Sequence, residues 1–179
     1  HAEEEASSPA LRSNIRDDYD IGKQLGEGHF ATVHKGKNKR TGADVAIKII
    51  PKTNQTAASI RHEAEVLRRV SLHKRIATME AFYETDDAFF IVMEFCGGGE
   101  LFDHLVAHGA MSESEASTLI GELADAIAIL HAQGMCHADI KPENLLLTGE
   151  PSRAGGQVTL TSTLTLTLTL TLTLTLTLT

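Results

Sequence analysis

The triplet Gly97-Gly98-Gly99 divides this chain into two stretches of unlike texture. Before it, short apolar runs rich in β-branched and aromatic residues are broken by turn residues. After it, apolar residues recur at helical spacing. Ile21, Leu25, Phe30 and Val33, then Val45, Ile47 and Ile49, predict strands punctuated by Gly26, Gly28 and Thr41-Gly42. Ile76 to Tyr83 and Phe89 to Phe95 predict two more. Between them Ile60, Ala64, Leu67 and Val70 carry helix spacing, predicting a helix from Ser59 to Val70. The glycines themselves read as a linker of high backbone freedom. Beyond them a short helix is expected from Glu100 to Ala107. A longer one should be opened by the capping box Ser112-x-x-Glu115 and carry a stripe of Ala116, Leu119, Ile120, Leu123, Ala124, Ile127 and Leu130. Five strands with one inserted helix, a glycine linker and then helices describe an α+β chain: a small sheet lobe joined to a helical lobe.

Composition narrows the partners. A net charge of −8 over 179 residues, with no basic stripe, argues against nucleic acid. No apolar run approaches about 18 residues, so no membrane span is expected. Cys96 and Cys136, the two cysteines, have no metal-ligand spacing and make no disulfide framework, which fits a reducing, intracellular, cytoplasmic setting. Residues 1–18 are acidic, with Glu3-Glu4-Glu5, and poor in large apolar side chains; they read as a disordered tail. Residues 162–179 are a low-complexity tail, in strict Thr-Leu alternation from Thr163. Period two is a strand signal, but a run without turn or charge specifies no register and favours self-association. It reads as a repeat expansion or gene-model artefact.

The chemistry is concentrated in His137-Ala138-Asp139-Ile140-Lys141-Pro142-Glu143-Asn144. Asp139, Lys141 two later and Asn144 five later are a base, a cation and an oxygen ligand, the set that phosphoryl transfer uses. Two further patterns precede it. Leu25-Gly26-Glu27-Gly28-His29-Phe30-Ala31-Thr32-Val33 follows G-x-G-x-x-G-x-V, with Ala31 at the third glycine. Such a hairpin lets backbone N–H groups approach phosphate oxygens, although a glycine-bearing hairpin alone is a weak signal. Val45-Ala46-Ile47-Lys48 places a lysine inside an apolar strand, where it must find a counter-charge or reach water. Glu63 is the first candidate partner, sharing a helix face with Leu67. Glu65, about 200° further round the helix, is the alternative.

With Glu94-Phe95-Cys96-Gly97-Gly98-Gly99-Glu100-Leu101-Phe102, these motifs resemble the protein serine/threonine kinases, most closely the calcium/calmodulin-dependent group, from about Tyr19 to Thr161. The resemblance implies a five-stranded antiparallel N-lobe and hinge over 19–96, with part of a helical C-lobe and its catalytic loop over 97–161. It implies ATP and Mg²⁺, and a protein substrate offering Ser or Thr. Calmodulin enters as a partner through the family alone. Leu25, Val33, Ala46 and Leu146 would enclose adenine, with Met93 as gatekeeper. Glu94 and Cys96 would meet the adenine edge through their backbones, and Glu100 the ribose. Gly26 to Thr32, Lys48 and Glu143 complete the nucleotide site. Lys48 pairs with Glu63, Asp139 is the base, Lys141 meets the γ-phosphate and Asn144 binds Mg²⁺. Two departures stand out. Ala138 replaces the arginine of H-R-D. Ser162-Thr163-Leu164 stands where D-F-G is expected, and a neutral hydroxyl is a poor substitute for a carboxylate on a hard cation. The expected activity is therefore that of a kinase fragment, severely impaired in transfer. The alternative is a pseudokinase-like ATP-binding or scaffold module.

Overall fold

The computed structural model describes residues 14–28, 30–53, 56–71, 73–137, 140–148 and 157–160. The chain divides into two compact units. One takes the described residues of His1–Ala64 together with Met79–Phe95, the other those of Glu65–Thr78 and Cys96–Thr179.

The first unit is built on an antiparallel sheet of β1 (Tyr19–Glu27), β2 (Thr32–Asn38), β3 (Asp44–Pro51), β4 (Met79–Glu84) and β5 (Ala88–Glu94), in the order β1-β2-β3-β5-β4. The β2–β3 turn is closed by Asn38, whose Oδ1 accepts from the N–H groups of Arg40 and Thr41. Gly42 follows at φ 73°, which an L side chain rarely adopts. Alternation along β3 sends Val45 and Ile47 to one face, where they pack with Ile15, Tyr19, Tyr83 and Val92. Lys48 and Ile50 therefore face the other side. Helix α1 (Ala57–Val70) buries Ile60, Ala64 and Leu67 at the spacing read from the sequence.

The expected disordered tail does not reach residue 18. Ile15–Asp17 form a 3-10 turn capped by Asn14, and Ile15 is buried. Asp18 accepts a 2.7 Å hydrogen bond from the Tyr83 hydroxyl. Ile15 and the Asp18 carboxylate dock the segment together with Lys39, whose N–H donates to the Asp18 carbonyl at 2.9 Å, too small a signal to register in composition.

The second unit holds the last turns of α1, then α2 (Leu101–His108), α3 (Glu113–Ala132) and a two-stranded antiparallel sheet of β6 (Leu145–Thr148) and β7 (Gln157–Leu160). Val66, Val70 and Ile76 join Leu119, Ala126 and Leu130 of α3 in its core. The capping box forms as expected: Ser112 Oγ accepts from the Glu115 N–H, and the Glu115 carboxylate accepts from the Ser112 N–H. The apolar stripe of α3 is narrower than expected, with Ile120 59% exposed. The strand expected from Ile76 begins at Met79, and Glu100 is the cap of α2 rather than its first turn. Nor is the glycine triplet a free linker. The Gly98 N–H donates to the Leu147 carbonyl and the Leu147 N–H to the Gly99 carbonyl, both at 2.9 Å. Arg75 is buried and pairs with Glu122 of α3, Nη2 to Oε1, at 2.7 Å. Among the described residues its Nε and Nη1 have no hydrogen-bond partner.

Candidate functional site

Strand register sets the first half of the site. Lys48 lies on β3 between Val33 of β2 and Ile91 of β5, in the middle of the sheet. Its Nζ stands 3.4 Å from Oε1 of Glu63 on α1, with side-chain exposures of only 9% and 14%. Charge-assisted N–H···O bonds are ordinarily nearer 2.7–2.9 Å, so the pair is loosely closed. Burial lowers the Lys48 ammonium below its ordinary value, opposed by Glu63. Burial likewise raises the Glu63 carboxyl, opposed by Lys48. Desolvation thus outweighs attraction on both sides, as is common for buried ion pairs. Such a lysine gains by meeting a further anion. Glu65, the alternative partner, is instead held by Arg68 at 2.8 and 3.0 Å on the exposed side of the helix.

The glycine hairpin crosses from β1 to β2, pairing Gly26 with Val33 and Glu27 with Thr32, and the Gly28 N–H donates to the Ala31 carbonyl at 2.8 Å. His29 lies outside the described residues. The glycines of this sheet are of two kinds. A Cβ on Gly36 would strike the Ile47 side chain, and one on Gly22 would stand 2.8 Å from the Lys35 carbonyl, so strand packing demands both. A Cβ on Gly26 would meet nothing within 4 Å, one on Gly28 only the Ala31 carbonyl at 3.7 Å, and neither has a positive φ. Neither packing nor backbone conformation requires glycine there. What the pair leaves is bare backbone on an open face, suited to phosphate oxygens. Leu25 and Phe30 of the same hairpin are exposed, at 43% and 50%. Ala46 faces Met93 across the β3–β5 ladder, Met93 is buried, and Glu94 ends β5 opposite Val45. Leu25 to Gly28, Phe30 to Val33, Ala46, Lys48, Glu63, Met93 and Glu94 thus all belong to the first unit.

The second unit carries Cys96, Glu100, Lys141, Glu143, Asn144 and Leu146. Glu100 caps α2 and bridges Leu146 in an antiparallel pairing. Its carboxyl is raised, by burial first and then by the negative charges of Asp103 and Glu143. Pro142–Asn144 make a 3-10 turn in which the Asn144 N–H donates to the Lys141 carbonyl at 2.9 Å; Asn144 is buried. Asp139 lies outside the described residues.

One further carboxylate of the first unit belongs to no sequence motif. Glu84, at the end of β4, receives Arg61 of α1 through Nε at 2.9 Å and Nη2 at 2.8 Å, and Lys52 just past β3 at 2.9 Å. These partners lie 23 and 32 residues away, and no periodicity links residues that far apart.

Comparison with known proteins places this geometry. Residues 19–159 match the protein kinase domain. Against a probable serine/threonine-protein kinase pXi of Dictyostelium discoideum, the chain is 41% identical over 145 residues, covering 81% of this chain and 21% of that protein. A probable myosin light chain kinase of the same organism is 37% identical, over 79% of this chain and 36% of the relative. Calcium-dependent protein kinase 7 of Oryza sativa subsp. japonica is 38% identical, over 75% and 26%. A crystal structure of Rad53 residues 1-466 in complex with AMP-PNP superposes with a TM-score of 0.74 at 35% identity, covering 82% of this chain and 38% of that one. The five-stranded antiparallel sheet with its single helix is the small-lobe fold of protein kinases. The chain belongs to the protein kinase domain family. It spans between about a fifth and somewhat over a third of these three curated relatives.

Proposed function

We propose that this chain is the nucleotide-gripping part of a protein serine/threonine kinase, whose parent reaction moves the γ-phosphate of ATP to a Ser or Thr hydroxyl of a protein. The observation that carries the reading is the buried Lys48–Glu63 pair, set in mid-sheet beside a hairpin whose Gly26 leaves its backbone bare. Residues 19–96 form the lobe and hinge, and 97–161 part of the helical lobe. Leu25, Val33, Ala46, Met93 and Leu146 supply the apolar walls for adenine, with the backbone of Glu94 and Cys96 at its edge. Glu100 and Glu143 serve the ribose side. Gly26, Glu27, Gly28, His29, Phe30, Ala31 and Thr32 cover the phosphates, and Lys48 holds them as a point charge.

Catalysis of this kind is positioning and electrostatics more than covalent work by the protein. Asp139 accepts the proton of the incoming hydroxyl, and Lys141 offsets charge on the transferring group. Mg²⁺ is a different matter. It takes near-octahedral oxygen coordination, usually with one or two carboxylates among its ligands. Here the family's positions supply the neutral amide of Asn144 and, in sequence, the neutral hydroxyl of Ser162. Among the described residues no group of three or more His, Cys, Asp or Glu could hold a metal. The donor set does not fit a resident Mg²⁺. The chain should bind nucleotide and transfer phosphate poorly. Ser162 favours a second reading, a pseudokinase-like ATP-binding or scaffold module.

One experiment separates the two. A kinase C-lobe containing D-F-G is joined after Thr161 and phosphotransfer to a Ser/Thr peptide is assayed. The kinase reading expects activity that Lys48→Met and Asp139→Asn each abolish. An inactive chimera whose parent chain still gains melting temperature from ATP without Mg²⁺ supports the module reading. Full activity in both variants removes the assigned roles.

A further inference from the structure

The Lys48–Glu63 pair joins β3 to α1, yet little in it holds them together. At 3.4 Å, with desolvation acting against both charges, it does not itself fasten the helix. Helix α1 buries the apolar stripe of Ile60, Ala64 and Leu67. Apolar burial is non-directional, however, and tolerates roll and slide. Something else must set the helix so that Glu63 faces Lys48.

Glu84 has the geometry for it. Its carboxylate takes a bidentate fork from Arg61, at 2.8 and 2.9 Å, and a third bond from Lys52 at 2.9 Å. Arg61 is two residues before Glu63 on α1, and Lys52 is four residues after Lys48 on the chain leaving β3. Glu84 therefore ties together the same two elements the functional pair joins, through shorter bonds. The two ties also lie on opposite flanks of the stripe. Taking Ile60 as reference, Arg61 stands about 100° to one side and Glu63 about 60° to the other. Two polar tethers on either flank of an apolar seam fix the roll of a helix, which neither does alone. The bidentate fork adds direction as well as energy. Lys52 is steadied in turn by the Phe89 ring, its Nζ 5.0 Å from the centroid.

We infer that the Arg61–Glu84–Lys52 cluster is a positioning device that sets α1 on β3 so that Glu63 meets Lys48, leaving the Lys48–Glu63 pair loose enough to accept phosphate. The inference rests on the nucleotide reading above. Glu84 touches no ligand and acts only through the pair. Because Arg61 is 53% exposed and Lys52 31%, the cluster is open to salt, and the setting of α1 should loosen as ionic strength rises.

The test is a double-mutant cycle on the full chain, read as affinity for ATP by calorimetry. The variants are Glu84→Gln, Glu63→Gln, the two together, and Lys48→Met. Glu84→Gln should weaken binding about tenfold and add almost nothing once Glu63→Gln is present. That non-additivity marks action through the pair, whereas loss of general stability would add. Should Glu84→Gln unfold the chain, Arg61→Gln on the exposed flank of α1 takes its place in the same cycle. Binding that Lys48→Met weakens but Glu84→Gln does not, or additive effects in the cycle, overturn the positioning role alone. A chain that binds no ATP, or binds it equally well with Lys48→Met, overturns the nucleotide reading and this inference with it.

Discussion

Replacing Glu122 with alanine should be among the most damaging single changes in the second unit. Arg75 is 8% exposed and is held through Nη2 by a 2.7 Å bond to Glu122. Its other two donor nitrogens already lack partners among the described residues. Glu122→Ala leaves a guanidinium buried with no counter-charge, and a guanidinium cannot escape by losing its proton. Breaking a buried pair from one side typically costs about 3–5 kcal/mol, a large part of the roughly 5–15 kcal/mol that holds an ordinary domain. For a chain of this size the melting temperature should fall on the order of 10 °C. Removing both charges at once behaves differently. Arg75→Met with Glu122→Leu eliminates two desolvation costs and the orphaned donors, so the double variant should be as stable as the parent or more so. Urea unfolding followed by circular dichroism gives both free energies. A loss under about 1 kcal/mol for Glu122→Ala, or a double variant worse than the single one, would refute the claim that an unpaired buried charge sets the cost.

Four further outcomes follow from the described geometry. In Lys48→Met, Glu63 loses the charge that draws its raised carboxyl down. A carboxyl whose folded value lies above its unfolded one contributes stability in acid and loses it as pH rises through the folded value, so the variant should be more destabilised at about pH 8 than at about pH 4 in paired thermal melts. Gly36→Ala forces a methyl against Ile47 and to 3.0 Å from the Asp20 carbonyl, costing about 1–3 kcal/mol by urea titration; Gly26→Ala, facing open space, should change stability by less than about 0.5 kcal/mol while weakening ATP binding. Ser112→Ala removes the cap of α3 and should cost about 1 kcal/mol by the same titration.

What could be read from the sequence was whatever is encoded locally. The Ser112–Glu115 box sits three residues apart and formed as read. The α1 stripe follows helical period, and that period placed Glu63 rather than Glu65 beside Lys48. Alternation in β3 put the lysine on the face away from Ile47. What was missed depends on partners distant in sequence. Strand β6, four residues long, exists because β7 pairs with it. Ile15 and Asp18 dock through Tyr83, 65 residues on from Asp18. The Arg75–Glu122 and Arg61–Glu84 pairs look, in sequence, like ordinary surface charges. Ile120 has a core residue's side chain but stands exposed on α3.

The course of α1 has a practical corollary for anyone dissecting this chain. Its first turns belong with the sheet, while its last turns, with the segment through Thr78, belong with the helices. A cut at the apparent border after Phe95 would sever Val66, Val70 and Ile76 from the neighbours that keep them out of water. The excised sheet would carry three raw aliphatic groups and tend to clump. A usable recombinant small half needs those positions recoloured with polar residues, since no single scission point yields it clean.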